Sequence, residues 1–383
     1  MSATDGSGAL HDRRTAVRRI SLLVFVLAFL LCGRAIAVDT DEILLSQADA
    51  LDLDSLQQAA EDYAPDMNWT QAPDLDEGLA AILETGTNSL RGVVQKALRS
   101  GLLLLTIVML AGLAEGAAAC GTGKTIQAVP VAAALAITAV SVTDANTLIG
   151  LGREVIEKME LFSKVLLPTV AAATAASGSP GGAAARQLAA MLFSDVLMSL
   201  INRVLLPLVY AYIAACTAYA AIGNEGLKRI ASTLKWVVTS ILTVVLMAFV
   251  GYLTVSGVIA GTTDAVTLKA AKLTVSSVVP VVGGILSDAT ETVLAGAGIL
   301  KNSVGVFGML AVLGMCVIPF LQLGVHYLIY KMTSALSATI ADSRVAGLID
   351  GIGGAFGLVL GMTGACALLL LISLVSAVTM VSP

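Results

Sequence analysis

The sequence predicts an all-α, polytopic helical membrane protein with about 6–8 membrane segments, some of them broken or re-entrant. Three observations carry this. Hydrophobic residues make up 57% of the 383 residues and charged residues only 13%, with a mean hydropathy of +0.90; soluble domains carry about 25% charged residues. Six runs have the roughly 20 mostly apolar residues that a membrane helix needs: 101–119, 127–148, 204–223, 236–260, 304–328 and 355–380. Between two of them, residues 280–305 set a proline and paired glycines beside carboxylates and hydroxyls. At membrane depth such breakers are tolerated only against protein or water.

The N-terminus has the form of a cleavable signal peptide over residues 1–37. Arg13, Arg14, Arg18 and Arg19 precede the apolar core Ile20 to Leu31, and Ala35-Ile36-Ala37 is an A-x-A cleavage site with Val38 as first mature residue. An uncleaved anchor is the alternative. A lipoprotein signal fits poorly, because Leu30-Leu31 stands before Cys32 where a small residue is needed.

Residues 38–100 read as an acidic extracytoplasmic segment with amphipathic helices. Residues 38–92 hold thirteen acidic side chains and one basic one, Arg91, for a net of −12. Leu44, Leu45, Ala48, Leu51 and Leu56 recur at helical spacing. Pro65 and Pro73 interrupt the stretch after this first helix, and a second amphipathic helix runs from about Leu75 toward the membrane. The segment is either a solvated linker or a docking surface.

The rest, 101–383, reads as one helical membrane domain. The run 183–202 is long enough to span but is flanked or crossed by Arg186, Asp195 and Arg203, which leaves its assignment open. With Val38 outside, Lys124, the cluster Lys228/Arg229/Lys235, and Lys331 with Arg344 fall on the cytoplasmic side. Arg91, Lys96 and Arg99 sit on the wrong side in this scheme.

Several chemistries find no support. The five cysteines and two histidines form neither a disulfide framework nor metal-ligand spacing. Cys120 to Thr125 (CGTGKT) has the ending of a phosphate-binding loop, but Ala118 stands where that loop requires glycine. No nucleophile, acid–base pair, metal or cofactor site emerges, and the expectation is that the protein is not an enzyme, takes no cofactor and binds no nucleic acid.

Two parts of the chain share a layout. Pro168 and Pro207 are separated by 39 residues, as are Pro280 and Pro319, with a glycine-rich polar stretch after the first proline of each pair. This suggests parallel repeats at 150–261 and 262–372, a transporter-like design.

The candidate functional motif is PVVGGILSDATETVLAGAGILKNSVG, with Pro280, Gly283, Gly284, Ser287, Asp288, Glu291, Lys301 and Asn302. Asp288 and Glu291 lie at i, i+3 and share a face if helical. Asp195 and Arg203 are possible intramembrane charges that could pair or face a cavity, Glu115 could reach headgroups, and Asp350 precedes GIGGAFG; each is compatible with helix packing or with ion or substrate contact. The Pro, double Gly, Leu-Ser-Asp and trailing Lys-Asn, together with Leu234 to Lys272 and LLPTVAAATAASGSPGGAA upstream, resemble the stage III sporulation protein AE family. The resemblance covers most of the mature chain. It implies a multi-pass protein of the mother-cell membrane surrounding the forespore, a subunit of a channel or secretion-like assembly. The implied partners are the other stage III sporulation operon proteins and stage II sporulation protein Q, besides membrane lipid. The alternative is a stand-alone small-molecule permease with its site at the glycine-rich breaks.

Overall fold

The computed structural model describes residue 49 and residues 53–60, 75–119, 128–177, 180–278 and 283–379, all within the unit Ser46–Pro383. The signal at 1–37, Pro65, Pro73, Cys120, Lys124 and Pro280 lie outside the described residues. The elements are α1 (Leu53–Ala60), α2 (Leu75–Ala119), α3 (Ala128–Ala176), α4 (Pro180–Leu200), a π turn (Ile201–Leu205), α5 (Leu206–Ile222), α6 (Glu225–Val278), α7 (Gly283–Ser337) and α8 (Ser343–Thr379). No strand occurs among the described residues.

Among the described residues, six helices are long and apolar enough to cross a membrane: Leu75–Ala117, Val129–Ala176, Gln187–Ile222, Glu225–Val255, Ala297–Ser337 and Ser343–Val378. Each overlaps one of the six predicted runs, with ends that differ by a few residues, and the chain is an all-helical, multi-pass membrane protein. The open run 183–202 joins the run after it. α4 continues through the π turn into α5, where Leu206 N–H donates to Ile201 O, five residues back. Pro207 explains the widening. It has no N–H for the Arg203 carbonyl, and its ring crowds that carbonyl.

The helices are much longer than a bilayer is thick. α2, α3, α6 and α7 have 45, 49, 54 and 55 residues, about 70–80 Å each at 1.5 Å per residue, against a hydrocarbon core of about 30 Å. Their relative depth therefore matters. α2 runs unbroken across residue 100 and lies parallel to α7. Gly78 sits against Leu310, Gly86 against Val317 and Leu321, Gly101 against Ile329 and Thr333, and Gly112 against the Ile340 carbonyl. The basic residues Arg91, Lys96 and Arg99 are thus carried along the α7 run 304–328 and its next turn. α8 returns antiparallel to α7, with Gly305 against Val378, Gly364 against Phe320 and Gly353 against Tyr330. α3 also opposes α7, with Asp144 bonded to Tyr330 and Leu166 against Gly308.

Two turns meet at one end of the bundle. Gly223 caps α5 in the left-handed region (φ 76°), its N–H donating to Tyr219 O at 2.7 Å, and the Arg344 guanidinium lies over it. Arg344 also donates from Nε and Nη2 to Asp342 Oδ2 at 3.0 and 2.8 Å, while Asp342 Oδ1 accepts the Arg344 backbone N–H at 2.9 Å and opens α8. A side chain at 223 would face both a strained φ and that guanidinium. The cluster Lys228, Arg229 and Arg344 therefore gathers at one end.

Burial divides the helices. In the most apolar windows of α7 and α8, 56% and 61% of residues are buried, against 22% in α6 and 28% in α2. α7 and α8 form the centre; α6 and α2 present bare apolar flanks, including Val244, Met247, Leu110 and Leu113.

Candidate functional site

The predicted motif opens α7. Gly283 and Gly284 are its first residues and Ser287, Asp288 and Glu291 lie in its first turns. Backbone placement thus puts the carboxylates on helix rather than in a loop, and the breaker lies before Gly283. Farther along the same helix Lys301 is buried at 1% exposure, while Asn302 is exposed. Asp195 on α4 and Arg203 in the π turn are both exposed and do not pair with each other; Asp195 lies instead close enough to Lys164 of α3 to attract its ammonium. Pro168 sits inside α3 and Pro319 inside α7. The match between the segments after Pro168 and Pro280 falls outside the described residues.

A second set of polar groups lies where α3, α5, α7 and α8 meet. Tyr330, fully buried on α7, donates its hydroxyl to Asp144 Oδ2 on α3 at 2.9 Å. Its ring meets Phe356 of α8 edge-on, 5.0 Å between centroids, and His326 approaches the same Phe356 at 6.4 Å. His326 Nδ1 donates to the Gln322 carbonyl at 2.7 Å, which leaves Nε2 as the acceptor in the neutral ring. One residue beyond Tyr330, Lys331 Nζ pairs with Asp350 Oδ1 of α8 and lies 5.9 Å from the Tyr327 ring. Ser334 Oγ donates to the Ala346 carbonyl at 2.8 Å, a third tie from α7 to α8.

Glycines in GIGGAFG make this meeting possible. A Cβ on Gly353 would sit 2.9 Å from Tyr330 Cβ, on Gly354 3.0 Å from Tyr212 Oη, and on Gly357 3.0 Å from the Tyr327 ring. On Gly351 it would sit 2.7 Å from Cys216 Sγ. Small residues let helices approach this closely, and polar groups at such depth need partners. Asp350, open in the sequence to packing or to ion or substrate contact, pairs with Lys331 of α7. Asp144, Tyr330, Tyr327 and Tyr212 do not stand out in the sequence. Asp144 is the one acidic residue of the run 127–148, a signal that could have found it.

Chemically, the set can hold helices in register and keep a polar seam within an apolar bundle. Among the described residues, no group of three or more His, Cys, Asp or Glu could hold a metal ion. The free cysteines Cys316 and Cys366 are buried.

The family model of stage III sporulation protein AE (spore_III_AE) matches residues 76–381. Stage III sporulation protein AE of Bacillus subtilis (strain 168) is 28% identical over 199 residues, 51% of this chain and 49% of that relative. That alignment thus spans about half the length of the curated relative. No solved structure matches the chain. The family match begins one residue after the start of α2 and runs past the end of α8, and with it the chain belongs to the stage III sporulation protein AE family, a membership that supports a role in sporulation.

Proposed function

We propose that the protein is a membrane subunit of the trans-envelope channel, or secretion-like complex, that links mother cell and forespore and is needed for late forespore development. In this reading it resides in the mother-cell membrane surrounding the forespore. Its partners are the other stage III sporulation operon proteins and stage II sporulation protein Q. It works by assembly, not as an enzyme. The observation that carries the reading is the family match over residues 76–381. Two features of the fold agree with it. The α7–α8 centre with its polar seam makes a stiff body, and α2 leaves Leu102, Leu103, Met109, Leu110 and Leu113 exposed, more bare surface than one buried helix face leaves.

The test is isolation of the tagged full-length chain from sporulating cells, after gentle crosslinking and detergent extraction. Recovery of the companion stage III proteins and of stage II sporulation protein Q is the expected result. The second reading, a stand-alone small-molecule permease, is favoured by charges carried at the depth of apolar windows. It predicts recovery of the chain alone, together with solute uptake by vesicles that contain no other sporulation protein.

A further inference from the structure

We propose that the outer face of α3 from Thr143 to Lys164 borders water at membrane depth, forming the wall of an aqueous path for small hydrated solutes, while α6 at the same depth faces lipid. The proposal does not depend on the channel-complex reading and holds equally for a carrier.

α3 is two-faced over this stretch. Its inner face, Ala145, Leu148, Ile149, Val155, Ile156, Met159 and Phe162, is buried. Its outer face exposes Thr143, Asn146, Thr147, Arg153, Glu154, Glu157 and Lys164, with Leu161 as the large apolar exception beyond Val142. The 22 residues from Thr143 to Lys164 make this stripe about 32 Å long. Three ion pairs at i, i+4 lie along it: Arg153–Glu157, Lys158–Glu154 and Lys164–Glu160, each with N–O distances of 2.8 Å. Asp195 of α4 adds a carboxylate beside Lys164.

The depth of the stripe is set by its contacts. The turns carrying Gly223 and Arg344 meet at one end of the bundle. Gly152 packs on Val359 of α8, fifteen residues beyond Arg344, so Glu157 lies about 30 Å from that end. On α6, Val244 lies twenty-one residues beyond Gly223, or about 32 Å from it. At this one depth α6 exposes Val244 and Met247 at 65% and 70%, while the Arg153 and Glu157 side chains of α3 are 62% and 47% exposed. The same level holds Phe320 and Gly364, in the middle of the apolar α7 and α8 runs.

A bilayer cannot suit both flanks at that level. Bare Val and Met favour hydrocarbon. A row of charged side chains does not, and charges within membrane segments face a bundle interior or a water-filled cavity. Intrahelical pairing lowers the cost of the charges without removing the polar face. Among the described residues nothing covers the exposed side chains of that face, and in this proposal water does. Arg153, Lys158 and Lys164 balance Glu154, Glu157 and Glu160, and a wall of balanced charge selects weakly by the sign of the solute.

The test uses the full-length chain in native membranes, prepared as both right-side-out and inverted vesicles, over the labelling background of the unsubstituted chain. Glu157→Cys and Val244→Cys are compared, with Thr147→Cys and Lys164→Cys repeating the measurement along the stripe should one variant insert poorly. Thiol modification proceeds through the thiolate, which forms in water and not in hydrocarbon. A charged, membrane-impermeant thiosulfonate should modify Glu157→Cys at least about tenfold faster than Val244→Cys, and a lipid-soluble maleimide should reach Val244→Cys. Equal rates at both positions with the impermeant reagent would overturn the proposal, because the whole level would then lie outside the membrane. Modification of the stripe variants by the lipid-soluble reagent alone would also overturn it, showing that lipid or another protein covers α3.

Discussion

Replacing Gly353 by alanine tests whether α7 and α8 are held at contact distance by the missing side chain. The added Cβ would lie 2.9 Å from Tyr330 Cβ, with Lys331 N and Tyr327 O at 3.7 Å. Carbon atoms pack best at about 3.5–4.0 Å, so the helices must part locally by about 0.6–1.1 Å. The obstacle is a Cβ, which no rotamer change can remove. Parting also pulls on the Tyr330–Asp144 hydrogen bond and on the Tyr330–Phe356 edge contact. Overpacking costs about 1–3 kcal/mol, and the better helix propensity of Ala returns about 1 kcal/mol. With the weakened hydrogen bond the net loss is about 1–2 kcal/mol. Gly361 on the same helix has no atom within 4 Å of a built Cβ, so Gly361→Ala should gain about 0.5–1 kcal/mol. Gly78→Ala should fall between them, since its obstacle is Leu310 Cδ1 at 2.5 Å, the movable end of a side chain. The assay is thermal unfolding of the purified protein in detergent. The Gly353→Ala midpoint should lie at least about 3 °C below that of Gly361→Ala. Equal midpoints for the two would refute the close-approach argument.

Three further outcomes are expected from the same geometry. Tyr330→Phe removes the donor to Asp144 and should lower stability by about 1–2 kcal/mol, within the span expected for interhelical hydrogen bonds. Combining it with Asp144→Leu should cost less than the sum of the two single changes, and additive losses would show that the pair is not coupled. Asp342 is held below its ordinary pKa, chiefly by the hydrogen bond from Arg344. A depressed carboxyl pKa contributes stability that is present above the unfolded value and is lost as pH falls through the folded one. The α7–α8 turn should therefore loosen in acid below the ordinary carboxylate range. Asp342→Asn should flatten that dependence in a pH series of unfolding midpoints, and an unchanged slope would remove Asp342 from the account. Gly283→Val or Gly284→Val should block sporulation while the protein still inserts, if the start of α7 is the functional centre; normal spore yield from both would reduce that stretch to a tolerant helix end.

The helices were legible because their signal is local. Apolar runs of span length named six membrane helices, and each overlaps one of the long helices found. The start of α2 near Leu75 was legible from its amphipathic pattern, but the length of α3 was not, because its charged continuation carries no hydropathy signal. Arg91 and Glu157 belong to the same helices as Leu103 and Leu135, and only packing against α7 and α8 shows it. The π turn had a visible cause in Pro207, yet the sequence alone does not say whether a proline ends a helix or widens it. The candidate motif was legible as a run of residue types, and its described part from Gly283 falls at the start of α7. The polar seam was not. Asp144 and Tyr330 are 186 residues apart, and no spacing rule connects positions brought together by antiparallel packing.

Charge placement decides how this bundle can sit in a membrane. Counted along the chain, Arg91, Lys96 and Arg99 contradict a simple inside–outside scheme. Counted by depth, they have company. α2 carries them beside 317–333 of α7, and α3 carries Arg153 to Lys164 through the adjoining levels, between its contacts at Tyr330 and Gly308. Charged residues isolated in sequence are thus grouped in space on the α2–α3 flank, while the α6 flank at the level of Glu157 exposes Val244 and Met247. A symmetric lipid environment would penalise one flank or the other. An asymmetric one, with hydrocarbon along α6 and water or protein along α2 and α3, penalises neither. That requirement comes from helix length, contact register and the cost of charge in hydrocarbon. A permeation path closed within this chain and one completed by neighbouring subunits meet it equally well.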